Sequence, residues 1–254
     1  LRREKTSVSR EDYLKAIWEI VQEEQAPISA RLAEELGVTP PAVTAALKRM
    51  TRDDFLRVAR GGRIHLTRKG RGVAGHLALR HQLAEKLLTE VIGLDWSRAH
   101  EEAERLEHGI SPEVEALLVK RFGADSSCPH GVPLFGGLAK LRRRGAVLLA
   151  EARAGEYVEV VCVYEKDPRF LEFLNGLRLR PGARVRVRRR EYDETMTLTV
   201  HGQRSRTPFG QRPRNIDVAR SRTIHGERSR TIAGRKIHLG KPATTRIWVR
   251  RLPS

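Results

Sequence analysis

Four local signals packed into residues 9–73 constrain this chain more than any other feature. Ser9 is placed to cap a helix whose apolar positions, Tyr13, Leu14, Ile17, Trp18 and Val21, recur with the 3.6-residue period. After a Gln/Glu-rich break and Pro27, residues 28–36 read as a short helix stopped by Gly37, the residue type expected just past a helix end. Thr39 is placed to cap a third helix, with Pro40 and Pro41 in the first turn, where a missing N–H costs little, and Val43, Leu47 and Met50 as its inner stripe. Residues 55–58 and 64–67 alternate around Gly61-Gly62 and predict a β-hairpin. Helix, glycine turn, helix and basic hairpin together make a winged helix-turn-helix, whose second helix is built to enter a DNA major groove. Thr39, Pro41, Ala42 and Thr44 suit base edges, and Pro41 or Ala42 suits a thymine methyl. Lys48, Arg49, Arg60 and Arg63 suit phosphates.

The distribution of charge supports a polyanionic partner. The formal net charge is +18 over 254 residues. Residues 201–254 hold 14 basic and 2 acidic side chains, so most of the excess lies there, whereas residues 74–130 hold 6 basic and 10 acidic ones. Lys and Arg neutralise phosphates and release counterions, which points to double-stranded DNA. An acidic segment inside a basic protein is suited to collecting cations. Cys128 and Cys162 allow one bridge at most, which suggests a reducing, cytoplasmic setting. No run of about 18 apolar residues predicts a membrane span, and residues 1–10 lack the apolar core of a secretory signal.

The acidic segment reads as helical. Val73, Leu77, Leu83, Leu87, Leu88 and Val91 predict one long helix ending at Gly93. Ser97 is placed to cap a second helix over 98–109, and Ser111-Pro112 opens a third with Val114, Leu117, Leu118 and Phe122 inside. His81 and Glu85 share one helix face, and His100, Glu104, Glu107 and His108 share another. Three imidazoles and three carboxylates on two pairing helices are costly to bury unless a cation neutralises them. Carboxylates with imidazoles suit Mn²⁺ or Fe²⁺ better than a metal that prefers thiolates.

Residues 131–152 read as a linker, rich in glycine and containing Arg142-Arg143-Arg144. Beyond it, short alternating segments at 158–163, 185–187 and 196–200, a helix at 168–175, a Pro181-Gly182 turn and a closing strand at 247–249 predict a small β-barrel. Residues 201–236 interrupt it. There Arg-Ser-Arg-Thr occurs at 204–207, 220–223 and 228–231, which reads as a low-complexity insertion or a nonspecific DNA-binding arm.

These stretches together resemble the diphtheria toxin repressor family of metal-dependent transcriptional regulators, in particular its manganese-responsive branch. The resemblance rests on Glu11-Asp12-Tyr13-Leu14, residues 38–50, Leu66-Thr67-Arg68-Lys69-Gly70, Arg80-His81-Gln82-Leu83-Ala84-Glu85, Ile92-Gly93-Leu94-Asp95, residues 103–108 and Cys128-Pro129-His130-Gly131 with Pro133. It implies a mainly α fold with β: a winged helix-turn-helix over 1–73, a helical dimerisation and metal-binding domain over 74–130, the linker, and an SH3-like, FeoA-type domain over 153–254 carrying the Arg-rich insertion. By position, it implies one metal site at Asp12, Glu104, Glu107 and His108. A second would use His81, Glu85 and His100 with Glu165 and Asp167, and Cys128 and His130 are further candidate ligands. Iron-responsive members typically carry Met and Cys where Asp12 and Glu104 stand, so the two carboxylates favour manganese. Lys15 stands where compact two-domain manganese regulators have a Glu ligand, which departs from a closely bridged pair of ions.

The resulting expectation is a Mn²⁺-dependent (alternatively Fe²⁺-dependent) regulator that represses metal-uptake genes. It would not be an enzyme, and metal would order a homodimer for a palindromic operator. A metal-independent winged-helix regulator and, more remotely, a metallohydrolase are the rival readings.

Overall fold

The computed structural model describes residues 8–23, 25–201 and 234–253. The chain divides into two units, Leu1–Gly145 with Tyr164–Leu171, and Ala146–Val163 with Glu172–Ser254.

In the first unit, α1 (Val8–Gln22) starts before Ser9, so Ser9 is not its cap; the Ser9 side chain lies outside the described residues. Tyr13, Leu14, Ile17 and Ile20 are buried, while Val21, expected inside, is exposed. Ile20 takes the inner position because it lies closer than Val21 to the stripe set by Tyr13 and Ile17. α2 (Ser29–Glu35) is followed by Gly37 at φ +61°. α3 (Pro40–Arg52) begins after Thr39, which has the extended backbone of a cap but makes no capping bond through its side chain. β1 (Leu56–Val58) pairs antiparallel with β2 (Ile64–Leu66), with Arg57 opposite His65. Leu14, Ile17, Leu32, Val43, Leu47, Met50, Leu56 and Ile64 close one core. Each such side chain contributes about 2 kcal/mol on leaving water.

α4 (Arg68–Lys86) grows directly out of the hairpin. The Thr67 hydroxyl accepts the Gly70 N–H at 3.1 Å and donates to the Asp54 carbonyl at 2.7 Å. A Cβ at Gly70 would lie 2.0 Å from the Phe55 carbonyl oxygen, so only glycine lets the helix start this close to the strand. The long helix expected to run to Val91 is α-helical to Lys86. It then widens into a π-helical turn, Leu87–Ile92, and ends at Gly93 with φ +84°.

The next helix starts differently from the sequence expectation. Asp95, not Ser97, is the cap: its carboxylate accepts the Ser97 N–H at 2.9 Å and also the Ser97 hydroxyl. A carboxylate is the stronger acceptor for these donors, and it begins the turn two residues earlier. The predicted single helix becomes a 3-10 turn (Trp96–Arg98), α5 (Ala99–Leu106) and a second 3-10 turn (Glu107–Gly109). α6 (Pro112–Phe122) is capped by Ser111, whose hydroxyl accepts the Val114 N–H at 3.2 Å. Leu118 and Phe122 pack inward, but Val114 and Leu117, expected inside, are exposed, as are Val91, Ile92 and Leu106. The stretch read as a linker holds α7 (Gly137–Arg143).

The second unit is built on a six-stranded antiparallel sheet. Its strands are β3 (Val147–Leu148), β4 (Tyr157–Val163), β5 (Arg184–Arg190), β6 (Met196–His201), β7 (Arg235–Leu239) and β8 (Ile247–Arg251), in the order β3-β8-β4-β5-β6-β7. Val158, Val160, Val185, Val187, Leu198, Ile237 and Val249 are buried, spaced by the period of two that turns alternate residues to one face. The helix expected at 168–175 is α8 (Pro168–Leu177), and α9 (Lys241–Thr244) precedes β8. β3 and β7 were not anticipated. β7 begins inside the stretch read as an insertion, while the three Arg-Ser-Arg-Thr repeats lie outside the described residues. Among the described residues, no helix is long and apolar enough to cross a membrane.

Candidate metal centre and DNA-reading surface

Two groups of side chains with the donor types to hold a cation lie in the first unit. In one, Asp12 of α1 meets Glu107 and His108 of the second 3-10 turn, with one ligand atom from each lying within 4.8 Å of the others. His108 Nε2 is 3.1 Å from Asp12 Oδ1, and His108 Nδ1 is 2.8 Å from Glu11 Oε2, a neighbour that sequence reasoning did not single out. Burial pushes the Asp12 carboxyl above its ordinary pKa, and the nearby His108 opposes this only in part. Glu104 is not in this group: its side chain is largely exposed and lies 3.7 Å from His100 Nε2.

The second group centres on Glu85, which is fully buried. His81 Nε2, His100 Nδ1 and His130 Nδ1 lie 3.2, 3.4 and 3.1 Å from its Oε1. Glu165, in the Tyr164–Leu171 segment, completes two overlapping sets: His81, Glu85, His100 and Glu165; and Glu85, Cys128, His130 and Glu165. The Cys128 thiol donates to Glu165 Oε2 at 3.5 Å. His130 donates its Nε2–H to the Trp96 carbonyl at 2.9 Å, which orients Nδ1 toward the carboxylates, as outer partners orient metal-binding imidazoles. Asp167 is not in either set; it accepts the Phe170 N–H at 3.1 Å in the first turn of α8.

Burial and the Lys15 charge work to lower the His81 pKa, but Glu85 and the hydrogen bonds to Glu107 and Glu85 outweigh them and lift it to about 9. Burial opposes protonation of His130 too, yet the Glu85 and Glu165 carboxylates raise it well above the ordinary range. Burial likewise opposes ionisation of Glu85, but the facing histidines hold it well below the usual carboxylate value. The carboxylates thus favour the imidazolium form of His81 and His130, and the histidines favour the ionised form of Glu85. Glu85 Oε2 and His130 Nδ1 are buried without a well-directed hydrogen bond. A buried carboxylate oxygen without a hydrogen bond, Glu85 Oε2, and a mixed set of carboxylate, imidazole and thiol fit a divalent cation.

Sequence reasoning treated Lys15 only as a missing ligand. The structure buries it, with Nζ donating to Glu107 Oε1 and Oε2 at 2.9 and 2.8 Å. Burial favours the neutral amine, but Glu19 and Glu107 more than offset this and keep Lys15 charged. The only sequence signal for this role was its position, one helical turn beyond Asp12.

Thr39, Pro41, Ala42, Thr44, Lys48 and Arg49, at and after the start of α3, and Arg60 and Arg63 of the hairpin are all exposed, whereas Val43, Leu47 and Met50 of α3 are buried. The Thr44 hydroxyl donates to the Pro40 carbonyl at 3.1 Å.

A winged helix-turn-helix whose first helix brings a carboxylate to a part-buried cluster able to hold a cation fits the class of metal-regulated DNA-binding proteins. Residues 5–62 match the family described as "Iron dependent repressor, N-terminal DNA binding domain", residues 67–136 "Iron dependent repressor, metal binding and dimerisation domain", and residues 147–206 "FeoA domain". The iron-dependent repressor IdeR of Mycobacterium tuberculosis is 42% identical over 159 residues, covering 59% of this chain and 69% of that protein. The diphtheria toxin repressor of Corynebacterium diphtheriae is 42% identical over 126 residues, covering 50% and 56%. A manganese-dependent transcriptional repressor solved in complex with manganese superposes with TM-score 0.72 at 25% identity, over 96% of this chain and 100% of that one. The apo form of the manganese-activated repressor ScaR shares the fold, with TM-score 0.69 at 23% identity over 95% and 100%. The chain belongs to the iron-dependent repressor family, that of the diphtheria toxin repressor, whose members are metal-dependent DNA-binding transcriptional repressors and not enzymes.

Proposed function

We propose that this chain is a manganese-responsive repressor, with Fe²⁺ as the alternative effector, acting in the cytoplasm as a homodimer on a palindromic operator of metal-uptake genes. The observation that carries this reading is the meeting of Asp12, from the first helix of the DNA-reading head, with Glu107 and His108 from the segment matching the dimerisation domain. Asp12, Glu107 and His108 would hold one ion, and Glu85 and Glu165 a second with His81 and His100 or with Cys128 and His130. A bound divalent cation would neutralise carboxylates that otherwise repel. Asp12 then ties α1 to the dimerisation segment, and binding favours the DNA-competent arrangement by its differential affinity for that state.

The donor chemistry supports manganese or iron, because carboxylate oxygens outnumber the single thiol, Cys128. Exposed Val91, Ile92, Leu106, Val114 and Leu117 all fall within residues 67–136 and support a second copy covering them. A two-fold dimer reads two half-sites one helical turn, or a multiple, apart. With only two cysteines, Cys128 and Cys162, the chain holds one bridge at most, which accords with a reducing compartment.

The test is selection of binding duplexes from a random pool with MnCl₂ present, followed by titration of the enriched duplex with MnCl₂, FeSO₄ or EDTA. Binding that needs Mn²⁺ or Fe²⁺ is expected. Equal affinity in EDTA would replace this reading with a metal-independent regulator.

A further inference from the structure

Lys15 lies where the two clusters join. Its Nζ bonds both oxygens of Glu107, a member of the first cluster, and lies 3.1 Å from Nδ1 of His81, a member of the second. His81 Nδ1 and Glu107 Oε2 are themselves 2.6 Å apart. A single ammonium on α1 therefore touches the inner member of each cluster. Its side chain is 8% exposed and that of Glu107 2% exposed, so water does little to screen the pair.

We propose that the Lys15 ammonium is a built-in cation that tunes metal binding: it holds Glu107 in the ion-free protein and makes any ion at Asp12, Glu107 and His108 share that carboxylate with a fixed positive charge. Three consequences follow from charge and geometry. First, α1 stays attached to the Glu107 turn without metal, through a buried ion pair. Second, the Asp12 cluster binds a divalent ion more weakly than its donors alone would allow, because like charges repel across a few ångströms of poorly screened interior. Third, the two clusters take separate ions, since Glu107 Oε2 and His81 Nδ1 already bond each other, with the ammonium beside both, which leaves neither atom open to bridge two ions. Lys15 is a positioning residue here, acting through Glu107. The proposal rests on reading the clusters as metal centres.

The experiment measures Mn²⁺ binding by equilibrium dialysis, with free Mn²⁺ read by electron paramagnetic resonance, and thermal unfolding of the same full-length samples with and without Mn²⁺. Lys15→Met keeps the apolar stem and removes the charge. It is expected to bind Mn²⁺ about tenfold more tightly at the Asp12, Glu107 and His108 cluster. It should also unfold at lower temperature than wild type without metal and show a larger upward shift on adding Mn²⁺. Lys15→Glu places a carboxylate beside Glu107 and is expected to bind one more Mn²⁺ per chain. Lys15→Arg retains the charge and should restore wild-type stoichiometry. Lys15→Gln, which still donates to Glu107, serves in place of Lys15→Met if the latter does not fold. A folded, uncharged variant with wild-type affinity and unchanged metal-induced stabilisation overturns the proposal while leaving the metal reading intact. Wild-type protein that is folded and binds no Mn²⁺ overturns both.

Discussion

His81 Nδ1 lies 2.6 Å from Glu107 Oε2, while Nε2 of the same ring lies 2.9 Å from His100 Nδ1 and 3.2 Å from Glu85 Oε1. One imidazole thus bridges the two clusters, with a carboxylate ready to orient its inner nitrogen and two candidate ligands facing its outer one. This is the arrangement by which a carboxylate fixes the tautomer of a metal-binding histidine.

Loading these clusters should release protons. The His81 pKa of about 9 makes its ring an imidazolium at pH 7 in the ion-free protein, and the Glu85 and Glu165 carboxylates raise that of His130 against the effect of burial. A metal ligand must be neutral imidazole, so Mn²⁺ binding at pH 7 should expel about one proton or more per chain. Calorimetry in buffers of different ionisation enthalpy reads this number directly. The raised His81 pKa also sets a sign for stability: its contribution in the ion-free protein is fully present below about pH 6.5 and is lost as pH rises through about 9.

Lys166 should account for part of the acid sensitivity of the first unit. Its ammonium lies 2.9 Å from Glu19 and 3.7 Å from Glu23, and it also bonds Glu35. Burial works against ionisation of Glu19, but the Lys166 and Lys15 charges overcome it and lower its pKa to about 2. A depressed carboxylate stabilises above its unfolded pKa, so this contribution, of order 3 kcal/mol, should fade as pH falls from about 4.5 to about 2. Urea unfolding of Lys166→Met and wild type across that range should show the gap between them narrowing toward acid.

Gly70→Ala should weaken the joint between the hairpin and α4. The added methyl would sit 2.0 Å from the Phe55 carbonyl oxygen, which is backbone and cannot rotate away. A cost of about 2–3 kcal/mol is expected, from overpacking and displacement of the Thr67 cap. Gly72→Ala, whose Cβ meets nothing within 4 Å, is the control and should unfold at or slightly above the wild-type temperature.

Lys48→Ala and Thr44→Ala should separate two kinds of DNA contact. Loss of Lys48, an exposed cation of α3, should weaken binding to all duplexes alike and reduce the salt dependence by about one charge. Loss of Thr44 should leave the salt dependence unchanged and relax preference at one base position, at a cost of about 1–3 kcal/mol for the best duplex. Fluorescence anisotropy at several salt concentrations distinguishes these outcomes.

The head was legible because its signals are local. Apolar spacing at Leu14 and Ile17, Pro40-Pro41 at a helix start and Gly61-Gly62 between alternating segments each decide a few residues on their own. The misreadings arose where neighbours compete. Asp95 took the cap from Ser97 through a carboxylate that reaches two donors, and Val114 and Leu117 look like core residues by periodicity although this single chain leaves them exposed. Strand β7 was hidden because its five residues follow a long Arg-rich stretch whose composition suggests no strand.

The sequence by itself determined which donor types exist and on which helix faces they lie, because i to i+4 spacing settles that for His81 with Glu85 and for His100 with Glu104. Only the tertiary structure decided which faces meet. It brought Asp12 from position 12 beside His108, turned Glu104 away toward solvent, and drew Glu165 to Cys128 and His130 across more than thirty residues. It also set Lys15 between the clusters, a placement that depends on how α1 packs on α4. Helical periodicity fixes the angle of a side chain about its own axis, whereas the identity of the group it faces depends on long-range packing.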